Sequence, residues 1–181
     1  MDDINEVIRR LLLETRPENT KTLIFVLGDP SRAYFERGLT LESDSKSESS
    51  YGKGKGKGKV SSIESVVRCR DEIKVLFLNR MQYVFMFLTK LEAEKYVEYT
   101  NLILYGLDVL LGQETGKQGS ANGSIFVLSA EQVRLANLTF DTLFKVKRKH
   151  ELGTVKFVPF DGGSSVSRDL FQLEEYWRYI S

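Results

Sequence analysis

With 181 residues, 41% of them hydrophobic and 11% aromatic, the chain is long enough for one packed domain, and 26 basic against 25 acidic side chains leave a net charge of +1. That balance argues against a dedicated nucleic-acid binder, which carries a clear basic excess, and no run reaches the about 18 apolar residues of a membrane span. A single cysteine, Cys69, excludes an internal disulfide or a cysteine-rich zinc site, and the acidic opening MDDINEVIRRLLLETRPENT lacks the basic start of a signal peptide. The expectation is a soluble cytoplasmic protein.

Residues 2–15 set Ile4, Val7, Ile8, Leu11 and Leu12 on one helix face, with Asp2 and Asp3 favouring the dipole and Pro17 as a stop. TLIFVLG, Thr22–Gly28, is too short for a typical helix and rich in strand formers, so it reads as a buried strand. Gly28-Asp29-Pro30-Ser31 has turn chemistry, and AYFERG, Ala33–Gly38, is expected to return as the second arm of a hairpin.

Ser43–Ser62 then changes character. Lys53, Lys55, Lys57 and Lys59 alternate with glycines. The segment does not match a phosphate-binding loop, because Gly58-Lys59 is followed by Val60, and Tyr51 is its lone aromatic. It reads as a polar tether; its functional alternative is binding of nucleic acid or of an anionic surface, the latter at about 1 kcal/mol per lysine.

Beyond it, Val66–Arg70, Ile73–Asn79 and Gln82–Thr89 are expected to form a three-strand meander. From Leu91 the period changes: Tyr96, Tyr99, Ile103, Leu107 and Leu110 indicate one long helix stopped by Gly112. Residues 113–124 read as a linker between a domain at 1–112 and a C-terminal helical extension at 125–181. There, Ser129 and Gln132 form a capping box opening the helix AEQVRLANLTFDTLF. TVKFVPF is a strand whose Pro159 places it at an edge or a strand end. Ser167 is expected to cap a final helix bearing Leu170, Leu173, Tyr176, Trp177 and Ile180.

Chemistry is sparse. His150, between Lys149 and Glu151, reads as a surface residue. Cys69 has arginines on both sides, but in a strand these point to the opposite face, so a buried structural thiol is expected. Glu72-Ile73-Lys74 has the Glu-x-Lys spacing of metal-dependent nucleases, a chemistry that also needs an upstream carboxylate, for which Asp29 is available. Tyr96, Tyr99 and Tyr105 read as packing residues. Lys145, Lys147, Arg148 and Lys149 suit a helix C-terminus and are a second candidate for anionic contact. No catalytic residue, cofactor or metal is assigned.

The segments IFVLGDPSRAYFERG, DEIKVLFLNRMQYVFMFLTK and EYTNLILYGLDVLLG together resemble the longin-domain family, in particular the first longin domain of the Mon subunit of the Mon–Ccz exchange complex and Fuzzy-type relatives. The resemblance covers about residues 22–112. It implies an α/β (α+β) fold, a longin-like or profilin-like mixed five-stranded sheet flanked by helices, with a C-terminal helix–strand–helix appendage. It departs from the family where the Ser/Lys/Gly segment replaces an amphipathic helix; helix 2–15, or a partner chain, would cover that sheet face. The resemblance implies a non-catalytic scaffold in vesicle trafficking, acting on a Rab-type small GTPase, peripheral on an endosomal or vacuolar membrane. The implied partner is another longin-type subunit or the GTPase, as a homo- or heterodimer, and nucleic acid is not expected. Contact would run through sheet edges: Tyr34, Phe35 and Arg37 on the hairpin's second strand, then Val66 and Arg68.

Overall fold

All six residues of β1 (Thr22–Leu27) are buried, which requires cover on both sides of the strand and on both faces. The computed structural model describes residues 4–13, 20–44, 70–113 and 128–180. In it β1 pairs in parallel with β2 (Ile73–Leu78) on one side and β3 (Asn101–Tyr105) on the other, and β4 (Thr154–Val158) extends the sheet beyond β3. The order is β2-β1-β3-β4.

Parallel neighbours cannot be joined by tight turns, so each connection carries a helix. α1 (Ile4–Leu13) precedes β1, α2 (Asp29–Asp44) links β1 to β2, and α3 (Met81–Ala93) links β2 to β3. α4 (Leu107–Gln113) and α5 (Ala130–Lys149) lie between β3 and β4, and α6 (Ser165–Ile180) follows β4.

Crossovers of one hand that step to opposite sides of β1 must lie on opposite faces. Leu23, Phe25, Leu27, Leu102 and Leu104 accordingly pack on Met81, Val84, Leu88 and Leu91 of α3 and on Ala136, Phe140 and Leu143 of α5. On the other face Ile24, Val26, Ile103 and Tyr105 pack on Ile4, Val7 and Leu11 of α1 and Phe35 of α2. Helix α1 therefore covers a sheet face. Each fully buried Leu, Ile, Val or Phe of β1 contributes about 1.5–3 kcal/mol.

The parallel sheet corrects the mixed five-stranded expectation. AYFERG belongs to α2, because Gly28, at φ 81°, turns the chain directly into a helix. Pro30 in the first turn loses no helical hydrogen bond. QYVFMFLT lies in α3; a short apolar run cannot by its pattern be told from a buried strand. The single long helix expected from Leu91 is instead the end of α3, then β3, then α4. Val66, with the rest of the expected strand before Arg70, lies outside the described residues.

The helix 4–13, β1, β2 as a strand, α5, β4 and α6 match their sequence signals. The capping box is complete: Gln132 N donates to Ser129 Oγ at 3.2 Å, and Ser129 N donates to Gln132 Oε1 at 2.7 Å. The C-terminal segment supplies β4 to the same sheet and α5 to the same core.

Gly106 separates β3 from α4 with φ 82°. A Cβ there would sit 2.0 Å from Ser31 Oγ and 2.8 Å from the Leu27 carbonyl oxygen. Gly106→Ala is expected to cost roughly 2–4 kcal/mol, combining positive φ with a backbone clash. Gly112→Ala, with nothing within 4 Å of its Cβ, should be neutral or stabilising by about 0.5 kcal/mol. Urea denaturation of the two variants checks the contrast.

Candidate functional site

Open parallel sheets bind ligands at the carboxyl ends of their strands, where crossovers diverge to opposite faces. Here that point lies between β1 and β3, and it is filled. Gly28 N donates to the Leu78 carbonyl and Gly106 N to the Val158 carbonyl, so both glycines extend the ladder before turning away. Ser31 is wholly buried against Gly106, and its hydroxyl has no hydrogen-bond partner.

Phe160, after β4, closes the corner. Its ring lies 6.4 Å from that of Tyr105 and 6.0 Å from that of Tyr34, whose hydroxyl accepts from Asn5 Nδ2 at 3.0 Å. Buried Asp108 accepts from Phe160 N at 3.0 Å, Asp161 N at 3.1 Å and Ser167 Oγ at 3.1 Å. Its carboxylate is consumed in anchoring that loop to α6. Ser167 is thus an interior anchor; the cap is Ser164, whose Oγ accepts from Ser167 N.

A hollow of about 130 Å³ remains beside β1 and β2, lined by Val26, Gly28, Asp29, Arg32, Phe77 and Asn79 among others. That is below the roughly 300–1,000 Å³ of ordinary ligand pockets. Arg32 is already engaged, by Glu36 at 2.8 Å and over the Phe77 ring at 5.0 Å.

The expected site residues do not converge. Tyr34, Phe35 and Arg37 lie on α2 and not on an edge strand, and Phe35 is buried in the core. Val66, Arg68, Lys53, Lys55, Lys57 and Lys59 lie outside the described residues. Lys145 bonds Asp141 at 2.8 Å, Lys147 lies over the Phe144 ring, and Lys149 donates to the Glu92 carbonyl. Arg148 is exposed. His150 Nε2–H donates to the Leu91 carbonyl at 2.8 Å, so it and Lys149 satisfy the C-terminal carbonyls of α3. The nuclease trio is split: Asp29 follows the carboxyl end of β1 while Glu72 and Lys74 sit at the start of β2. That is the length of a six-residue strand away, roughly 20 Å.

The two sheet edges differ. At β4, Glu174 is buried and accepts from the backbone N of Phe157 at 3.1 Å and from Arg178 Nη2 at 2.7 Å. Burial raises its pKa although both donors pull the other way. The carboxylate thus occupies an edge donor. At β2, Leu78 alone is buried, and Phe77 keeps 40% of its surface.

Between β2 and α3 runs a groove of about 580 Å³, lined by Leu76, Phe87, Tyr96, Tyr99, Lys74 and Lys90 among others. Tyr96 is 80% exposed, against its expected packing role. Lys21 bonds Glu98 at 2.6 Å, which raises the pKa of Lys21 and lowers that of Glu98. The Lys74 ammonium lies 5.9 Å over the Tyr99 ring, and its pKa is raised chiefly by Tyr99. The groove is hidden in the sequence because the apolar run Gln82–Thr89, which forms its helical wall, has the pattern of a buried strand.

The family model described as "Suppressor of HU sensitivity involved in recombination protein 1" matches residues 5–181. The chain belongs to that family. It is similar to the Saccharomyces cerevisiae protein of that description, 27% identical over 159 residues, covering 87% of this chain and 83% of the yeast protein. This overturns the longin resemblance and, with it, the Mon–Ccz and Rab-GTPase assignment, the trafficking scaffold and the cytoplasmic, endosomal or vacuolar location. The physical cause is visible: two segments that carried the resemblance, AYFERG and QYVFMFLT, are helices.

Glu174 yields a pH test. A raised folded pKa favours the protonated carboxyl, a contribution complete below the ordinary carboxylate range and lost as pH rises through the folded pKa. Glu174→Gln keeps an acceptor for Phe157 N without the buried charge. The stability of wild type relative to this variant should therefore fall as pH rises above the ordinary carboxylate range, as followed by urea denaturation.

Proposed function

We propose that this protein is a nuclear subunit serving recombination through protein contacts, with no chemistry of its own at the carboxyl end of its sheet. Membership of a family described by its involvement in recombination supports the biological role. The observation that carries the mechanism is the filled crevice: Ser31 against Gly106, Phe160 across Tyr105, and Asp108 spent on three internal donors. Where the strand ends of this architecture would hold a substrate, packing holds the loops together. Function then falls to the outer surfaces, and the partner is a different polypeptide.

Two measurements test this. Removing the protein from its organism should change recombination frequency between repeated sequences several-fold, and an unchanged frequency would sink the role. Asp29→Ala and Asn79→Ala, at the mouth of the small hollow, should each leave that frequency unaltered; a loss comparable to deletion would mean the hollow is an active site. Purification of the tagged chain from the same cells should recover a second polypeptide in fixed stoichiometry.

A further inference from the structure

The strand β2 reads IKVLFL, apolar at all positions but Lys74. Such a composition belongs to a strand covered on both faces, as in the interior of a parallel sheet. Yet among the described residues β2 pairs with β1 alone. Natural proteins blunt their edges, and this one does so at β4, with Glu174 on the Phe157 amide. No comparable device stands at β2 among the described residues. Beside it lies the groove with Leu76, Phe87, Tyr96 and Tyr99, and α3 adds exposed Tyr83 and Met86.

Charge narrows the occupant. Of the lysines near the groove, Lys21 has Glu98 and Lys90 has Glu94 at 3.9 Å. Lys74 lies over the Tyr99 ring and feels Glu98 only at longer range, behind Lys21, with no salt bridge of its own among the described residues. We propose that β2 is the docking edge for an extended strand of a different protein, with a carboxylate opposite Lys74 and a large apolar side chain opposite Leu76 that fills the groove. This rests on the reading of the chain as a subunit that works by contact.

The geometry follows from strand alternation. Lys74 and Leu76 point to one face of β2, so their cross-strand neighbours are also two residues apart on one face of the incoming strand. Ile73 and Val75 pack with the opposite face and call for β-branched or aromatic neighbours there. Main-chain hydrogen bonds along β2 supply affinity, and the groove and Lys74 supply selectivity.

A second copy of this chain fits less well. Two-fold antiparallel pairing keeps the faces continuous, so it must centre on a residue. Centred on Leu76 it sets Lys74 against Leu78; centred on Val75 it sets Lys74 against Leu76 and Arg70 against Arg80. Neither gives Lys74 a carboxylate, and the register centred on Ile73, which would set Lys74 against Glu72, runs into residues 70–72, which are helical.

The test uses the assembly of this chain with the polypeptide recovered in fixed stoichiometry, both re-expressed. Hydrogen exchange at residues 73–78 should slow by about tenfold or more on assembly. Lys74→Glu should weaken association by about tenfold, and Lys in place of the partner's carboxylate should restore it. An assembly that forms with unchanged exchange at 73–78 overturns this surface and leaves the subunit reading standing. Failure to recover any partner overturns both. A homodimer of the isolated chain by light scattering, with 73–78 protected, makes the second copy the occupant and overturns the proposal.

Discussion

The parallel ladder that holds β1 between β2 and β3 forbids short connections, and the helices follow from that prohibition. Each helix must then find a face, and the two sides of β1 are chemically alike: Leu23, Phe25 and Leu27 on one, Ile24 and Val26 on the other. The first face takes α3, α4, α5 and α6, while the second takes α1 and α2. The division is unequal, and it matters. One side has a layered core in which Phe157 meets Phe140 at 6.2 Å and Phe171 at 5.1 Å. The other rests on the ten-residue α1 and on α2, with Phe35 against Phe77 at 6.0 Å and Phe160 against Tyr34 and Tyr105.

The tight join between strands and loops at the carboxyl end depends on two residues without side chains. Gly28 and Gly106 leave the sheet at nearly the same positive φ, 81° and 82°, toward opposite faces. The space a substrate would need is taken by the first turn of α2. The hydroxyl of Ser31, buried without a hydrogen-bond partner, accompanies that close fit to Gly106. Asp108 then ties the strand-end loops to α6, so the corner behaves as one packed unit.

How much of this was legible in the sequence depends on which signal each element carries. Strand β1 and the capped helix α5 announced themselves, one by a short β-rich run and the other by Ser129 with Gln132. The crossover helices did not. AYFERG carries too few periodic apolar residues to declare a helix, since only Phe35 of α2's described side chains is a buried hydrophobic. QYVFMFLT is apolar on nearly every side, which erases periodicity altogether. NLILY was absorbed into a helix because its neighbours share its apolar character, and only Gly106, at φ 82°, separates them. With the helices unread, a parallel sheet looked like a meander, and a meander suggested the wrong family. The groove shared the same fate, since its lining comes from β2, α3 and the 94–99 loop, and no sequence window contains them together.

The unlike edges of the sheet have a consequence for assembly. With Glu174 seated on the amide of Phe157, addition at β4 would have to displace a buried carboxylate and its arginine. A sheet that can grow from one side has a valence of one. Through its sheet, a chain built this way ends an array of strands and does not extend it.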